Sequence, residues 1–246
     1  MTDKKNVSAK AHYENHLAEI YAWMCGDFET NVAEFEGFLM QNNLSANYDR
    51  EALDLGAGHG IQTKALFNQG FVVTALDGNK KLLFDLSMNV LSSRILTIHA
   101  DIVEFLKENT RRFDLILCWG DTLLHLENKT DVNTFFRNAE KCLNKGGKII
   151  LSFRNYEHAL IGVNRFIPVK NDSDRILTCF LEYSDEFVFV TDLIHLKKGD
   201  KWTQKASSYK KLRMGKSEIQ QILSDFNFNV LRESSFKGMT AIVAEK

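Results

Sequence analysis

From residue 51 onward, short apolar runs alternate with stretches of helical period, the sequence form of βαβ units and a mostly parallel sheet. The runs at 52–55, 71–76, 95–99, 113–119 and 148–153 predict five strands. Helices are predicted between them at 61–68, 80–91, 102–108 and 132–143, the last stopped by Asn144-Lys145-Gly146-Gly147. Upstream, Ala11, Leu17, Ile20, Tyr21 and Met24 recur at helical spacing, and a second amphipathic run covers 32–40, so the alternation has a helical preface.

After residue 155 the alternation breaks. Residues 176–183 and 187–196 predict a hairpin turning at Ser184-Asp185, and a third strand is expected after Lys197-Lys198-Gly199-Asp200. Ser217 and Gln220 have capping-box spacing and predict a helix over 218–225, with closing strands at 229–233 and 240–245. The pattern predicts one α/β unit: a helical cap (1–48), a ligand-binding core (49–155), a β-rich insertion (156–213) and a closing helix with two strands (214–246).

Composition narrows the partners. In 246 residues, 44% hydrophobic and 26% charged, the net charge is −1, which gives no global field for holding a polyanion. Nucleic acid is therefore not expected; the nearest thing to a basic stripe, Lys210, Lys211 and Arg213, reads better as a solvated strand face. Cys25, Cys118, Cys142 and Cys179 lie far apart with no C-x-x-C pair, so neither a zinc site nor a disulfide framework is expected, and a reducing cytoplasm is. The start of the chain has no apolar leader core, and no run is long enough to span a bilayer, so no membrane partner is expected. The choice between monomer and homo-oligomer stays open.

The chemistry concentrates where strands end. The first strand runs through Asp54-Leu55-Gly56-Ala57-Gly58-His59-Gly60 directly into a helix, which sets glycines where a ligand would meet a helix N-terminus. The spacing is G-x-G-x-G rather than the G-x-G-x-x-G of nicotinamide enzymes. Asp54 offers an acceptor for an amino group, and Asp77, at the end of the second strand, offers a carboxylate for two hydroxyls. Asp101 follows the third strand, where it suits both a helix N-cap and a purine amine.

In order, Glu51 to Gly60, Leu76-Asp77, Ala100-Asp101, 113–118 and 143–151 resemble the motif series of class I S-adenosylmethionine-dependent methyltransferases, over about residues 50–155. The resemblance implies a Rossmann-like, doubly wound, seven-stranded and mostly parallel sheet with N-terminal helices and a small antiparallel insertion. It implies S-adenosylmethionine as cofactor and S-adenosylhomocysteine as product. Gly56, Gly58 and Gly60 would lie against the methionine part, Asp77 on the ribose and Asp101 at the adenine amine. Asp54, Ala57, Gly78, Ala100, Ile102, Cys118 and Trp119 would complete the cofactor site.

The segment after the fourth strand, Trp119-Gly120-Asp121-Thr122, would face the transferring methyl. It lacks the Asn/Asp-Pro-Pro-aromatic tetrapeptide of enzymes acting on nucleobase or glutamine amino groups, which points to a small-molecule acceptor. The segment 152–157, the hairpin, Ser207-Ser208-Tyr209, Tyr21 and Gly26-Asp27 are similar to the glycine and sarcosine N-methyltransferase branch. That branch carries Gly-Asn-Ser where this chain has Gly120-Asp121-Thr122, and the carboxylate weighs against glycine itself as acceptor.

An amine acceptor must be deprotonated to attack, so Asp121 is a candidate to orient it and stabilise the ammonium, and His125 to take the proton. Tyr21, Arg154, Arg165 and Tyr209 are candidates to hold the substrate, the hairpin being expected to roof it. Each has a plain alternative: Asp121 as a helix cap, His125 as a loop residue, Trp119 as core, the arginines as surface ion pairs and the tyrosines, Tyr13 among them, as packing. No metal ligand set is expected. The competing functions are an NAD(P)-dependent reductase, for which no Tyr-x-x-x-Lys dyad follows a suitable strand, a nucleic-acid methyltransferase, and a protein that binds S-adenosylmethionine without catalysis.

Overall fold

The computed structural model describes residues 8–46 and 49–246; the expected helical cap therefore lies partly outside the described residues, at 1–7, 47 and 48. Three short helical pieces, α1 (Ala9–His12), a π-helical turn (Tyr13–Leu17) and α2 (Tyr21–Cys25), lead into α3 (Phe28–Gln41). The side chain of Asp27 caps α3 by accepting the Thr30 N–H.

The core then alternates as the apolar pattern predicts. It comprises β1 (Glu51–Leu55), α4 (Ile61–Asn68), β2 (Val72–Asp77), α5 (Lys80–Asn89), β3 (Ile95–His99), α6 (Ile102–Glu108), β4 (Phe113–Cys118), α7 (Lys129–Cys142) and β5 (Leu143–Phe153). Asn79, Asp101 and Asn128 cap α5, α6 and α7, each accepting backbone N–H groups of the first turn. Helix α7 starts three residues before the predicted run because Asn128 supplies the cap there.

The insertion is a four-stranded antiparallel sheet of β6 (Phe166–Asn171), β7 (Arg175–Tyr183), β8 (Phe187–Lys198) and β9 (Lys201–Leu212), paired in that order. The chain closes with α8 (Lys216–Asp225), β10 (Asn229–Phe236) and β11 (Met239–Glu245). Strand β6 was not predicted. It contains Pro168, which has no N–H to give a ladder, and it survives because it is an edge strand. The predicted capping box also fails: α8 begins one residue before Ser217 and is capped by Gly215 without a side-chain bond. Asn155 Oδ1 accepts the Lys216 N–H instead, and Gln220 donates to Glu233.

The main sheet has the order β10-β11-β5-β4-β1-β2-β3, with only β11 running against its neighbours. Period-two alternation splits its side chains between two apolar layers. Leu115, Leu117, Ala52 and Val73 pack with Phe35, Phe38 and Leu66 on the α3–α4 side, while Ile116, Cys118, Leu53 and Leu55 pack with Phe135, Phe136 and Leu223 on the α7–α8 side. The second layer continues into the insertion through Leu181, Val188, Val190 and Leu212, so the small sheet shares the core rather than standing apart.

Candidate functional site

All parallel strands point their carboxyl ends to one edge, and the strand order changes direction between β1 and β4, the place where open α/β sheets leave a crevice. A cavity of about 450 Å³ lies there. Its floor is the glycine loop and the ends of β2, β3 and β4: Gly56, Ala57, Gly58, Asp77, Gly78, Ala100, Asp101, Ile102, Trp119 and Gly120. These include nine of the twelve residues expected to meet a cofactor.

Local geometry explains the floor. Gly56 and Gly58 adopt φ of +78° and +55°, and a Cβ on Gly56 would come within 2.6 Å of the Thr122 side chain, so the loop needs glycine to turn and to pack. Asp77 ties this loop to the next turn: Oδ2 accepts the Gly58 N–H at 2.8 Å and Oδ1 the Asn79 N–H at 2.8 Å. Each oxygen keeps a further lone pair. Burial raises the Asp77 pKa, opposed by those two N–H donors. Asp101 caps α6 through Oδ1 alone, leaving Oδ2 without a partner among the described residues.

Three of the cofactor-side expectations need correction. Gly60 lies at the end of the loop away from the cavity, where a Cβ would strike Leu86 at 2.8 Å. Asp54 is 1% exposed and shares the parity of Ala52, so it faces α4, where it accepts the Thr63 hydroxyl at 2.7 Å. Burial pushes its pKa up to about 7, with Thr63 opposing. Cys118 points to the other layer and is fully buried. Strand alternation, which the motif does not record, removes both residues from the cavity.

The acceptor-side expectations change more. Asp121 is 1% exposed and does not line the cavity. Oδ1 accepts the Arg154 N–H at 2.6 Å, and Oδ2 accepts both Arg154 Nη1 at 2.5 Å and Lys211 Nζ at 2.8 Å. Burial alone would raise the Asp121 pKa, but Lys211 and Arg154 overcome it and hold the carboxyl well below its usual range. This triad fastens the loop after β4 to the ends of β5 and β9 and holds the carboxylate outside the cavity. Lys211, read in the sequence as solvated, is 5% exposed for this reason. Lys210 pairs with Glu127, and Arg213 donates to the carbonyls of Tyr156 and Ser184.

No residue of β6 to β9 lines the cavity. Arg154 is committed to Asp121, and Arg165 lies over the Phe180 ring at 4.8 Å within the insertion. Tyr209 is sandwiched between His12, at 4.1 Å between ring centroids, and His125, at 5.6 Å. The roof is instead the N-terminal segment, which contributes Ala9, Lys10, Tyr13, Tyr21 and Cys25. It is bolted to the insertion by His12, fully buried, whose Nε2 and Nδ1 meet Asp192 Oδ2 and Ser207 Oγ, each at 2.8 Å, and by Trp23 Nε1 donating to Asp172 at 2.6 Å. Nothing in local spacing announces the bolt, because His12 and Asp192 are 180 residues apart.

His125 and Tyr21 do line the cavity. His125 sits in a 3-10 turn (Thr122–His125) with Tyr13 edge-on at 5.6 Å, and its Nδ1 is shut from solvent without a partner among the described residues. Burial, reinforced by the Lys211 charge, pushes its pKa down to about 3, so the imidazole is neutral throughout the physiological range. A second imidazole, His59 of the glycine loop, also lines the cavity with a buried, unpartnered Nε2, and burial lowers its pKa too. Trp119 is both things the sequence allowed, cavity wall and core, packed by Phe35 and Phe38.

Comparison with known proteins agrees with this geometry. Residues 52–147 match the model of a methyltransferase domain. The chain is 28% identical over 152 residues to glycine/sarcosine N-methyltransferase of Aphanothece halophytica, an alignment covering 59% of this chain and 57% of that one; the match thus spans little more than half of the relative. An S-adenosylmethionine-dependent methyltransferase from Clostridium acetobutylicum superposes with a TM-score of 0.71 at 18% identity, over 96% of each chain. CalS10, an amino pentose methyltransferase from Micromonospora echinaspora, superposes with 0.74 at 14% identity, over 92% of this chain and 95% of that one. These findings favour the methyltransferase reading over the reductase. The G-x-G-x-G loop and the two acids on one sheet edge fall within the matched methyltransferase domain, residues 52–147, and the whole chain shares the fold of solved S-adenosylmethionine-dependent methyltransferases.

Proposed function

We propose that this protein transfers a methyl group from S-adenosylmethionine to an amine nitrogen of a small molecule. The observation that carries the reading is a single cavity that joins Asp77 and Asp101 at one end to His125 and the loop after β4 at the other. The residues fit the cofactor: Asp77 keeps a lone pair on each oxygen for a ribose diol, and Asp101 Oδ2 is free for an exocyclic amine. Gly120, at φ +72°, has nothing within 4 Å of where a Cβ would stand, leaving open space beside the loop after β4. The floor residues Gly56, Ala57, Gly58, Gly78, Ala100, Ile102 and Trp119 would line the remainder.

When bound, S-adenosylmethionine supplies an electrophilic methyl on a sulfonium, whose sulfur–carbon bond breaks as the nitrogen–carbon bond forms. The protein's part is alignment and exclusion of water. Tyr13 and Tyr21 close the cavity from above. Neutral His125 accepts a hydrogen bond from the acceptor N–H, which turns the nitrogen lone pair toward the methyl. An imidazole with its pKa near 3 is too weak to keep the proton, which passes to water after transfer. Asp121 acts at one remove, holding the loop that carries Gly120 and Thr122.

N-methylation by the similar glycine/sarcosine enzyme supports nitrogen as the accepting atom. The test is a screen of amines, phenols and thiols with S-adenosylmethionine, read by release of S-adenosylhomocysteine. Turnover of amines is expected; turnover confined to phenols or thiols overturns the nitrogen assignment. Binding without turnover of any class would leave only a cofactor-binding protein. Among the described residues no helix is long and apolar enough to cross a membrane.

A further inference from the structure

The sheet order lays the cavity out in a line. Along the carboxyl edge come Asp101 after β3, Asp77 on β2, the glycine loop after β1 and Trp119 after β4. Past β5 lies Met239, which opens the antiparallel β11 and so stands at the same edge. With strands about 4.8 Å apart, the four steps from β2 to β11 cover roughly 19 Å. A cofactor held by Asp77 and Asp101 takes the β3-to-β1 portion, and the span from β4 to β11 is left to the acceptor.

The walls of that span are mostly apolar or aromatic, Tyr21, Cys25, Trp119, Phe236 and Met239, with Asn31, Thr122 and His125 as the neutral polar groups. Among the described residues that line the cavity there are two lysines: Lys10 lies at the β2–β3 end beside Asn79 and His99, and Lys237, in this span, is already engaged by Asn31 Oδ1 at 2.7 Å and by Glu34. The neighbouring cations Arg154 and Lys211 are paired with Asp121, Lys170 reaches Gly26 from outside, Arg165 belongs to the insertion, and none of the four lines the cavity. Among the described residues the enclosed span therefore offers no uncommitted lining cation to an acceptor carboxylate, and enclosing that group without a partner is strongly unfavourable. It offers a slot for a ring.

Resting on the methyl-transfer reading above, we infer that the acceptor is an amine with an aromatic or comparably bulky apolar body, not a small amino acid such as glycine, and that the tip of the β10–β11 hairpin, Phe236 to Met239, selects it. The inference departs from the chemistry named for the glycine/sarcosine relative, and the departure follows from the committed arginine and lysine.

The experiment uses the whole protein with S-adenosylhomocysteine bound, titrated by calorimetry with 2-phenylethylamine, benzylamine, glycine and sarcosine, alongside turnover of the same four with S-adenosylmethionine. The aryl amines are expected to bind and to exceed glycine in kcat/KM by about 100-fold, the value of burying a ring against leaving a carboxylate unpaired. Met239→Ala should raise KM for the aryl amines several-fold while leaving S-adenosylhomocysteine affinity unchanged; Phe236→Ala, which also loosens the packing around Trp119, is the second variant. Glycine or sarcosine used as well as the aryl amines overturns the inference. So does failure of both aryl amines to bind while S-adenosylhomocysteine binds normally. Failure of S-adenosylhomocysteine itself to bind would instead remove the reading beneath it.

Discussion

Two aspartates at the ends of the strands that flank β1 do opposite work here. Asp77 finds its partners close by in the chain, the N–H of Gly58 nineteen residues earlier and that of Asn79 two residues later, and it keeps lone pairs facing the cavity. Asp121 finds its partners 33 and 90 residues away, in Arg154 and Lys211, and they hold it outside the cavity. The first keeps acceptor capacity beside the cavity, its charge supported by backbone donors. The second is the anion of a buried ion cluster. The difference shows that an acid at a strand end becomes a binding group only if the far parts of the fold leave it free.

The largest effect should come from breaking the cluster. Lys211→Ala leaves Asp121 buried with its charge less compensated, and should lower stability by about 3–5 kcal/mol, measured by urea unfolding. Because the folded-state pKa of Asp121 is held low, its contribution is full above the unfolded-state value near 4 and is lost as pH falls below it. The wild-type protein should therefore lose stability on acidification more steeply than Lys211→Ala does. Equal slopes would mean that the cluster is not what holds Asp121 ionised.

Next in size, Gly58→Val should weaken S-adenosylhomocysteine binding by at least about 100-fold, since the new side chain must adopt a positive φ and crowd the Tyr21 hydroxyl, 3.3 Å from the added Cβ. Circular dichroism should stay native. Normal affinity in this variant would mean that the ligand lies elsewhere.

The smallest effect concerns His125. His125→Phe should lower kcat by about 10-fold, the loss of an orienting hydrogen bond, and His125→Gln should recover part of it. Since His125 is already neutral well below physiological pH, the acid limb of kcat/KM should follow the pKa of the amine used and shift when the amine is changed. A limb fixed near 6.5 for every acceptor and absent in His125→Gln would make the histidine a titrating base.

What could be read from the sequence follows the same division. The glycine loop, Asp77 and Asp101 are local features, each fixed by the strand-to-helix turn that carries it, and the structure brings them together at one edge. Asp54 and Cys118 were misassigned because alternation along β1 and β4 turns them into the two layers beneath the edge. The roof was misassigned because it depends on where the N-terminal segment docks, through His12 on Asp192 and Ser207, and no periodicity encodes a contact across 180 residues. Strand β6 escaped notice because Pro168 speaks against a strand in every position but an edge. The alternation that predicted β9 gave no sign that Lys211 would be buried, since burial of a lysine is decided by the acid it meets.

The account rests on Asp77 serving the cofactor and Asp121 serving the ion cluster, and one paired measurement tests it: calorimetric affinity for S-adenosylhomocysteine beside the thermal unfolding midpoint, in Asp77→Asn and Asp121→Asn. Asp77→Asn should lose about 1.5–3 kcal/mol of binding at a nearly unchanged midpoint. Asp121→Asn should keep most of its affinity and lose several degrees of midpoint, leaving Lys211 buried without its anion. The opposite outcome, with Asp121→Asn stable but unable to bind and Asp77→Asn binding normally, would contradict the account.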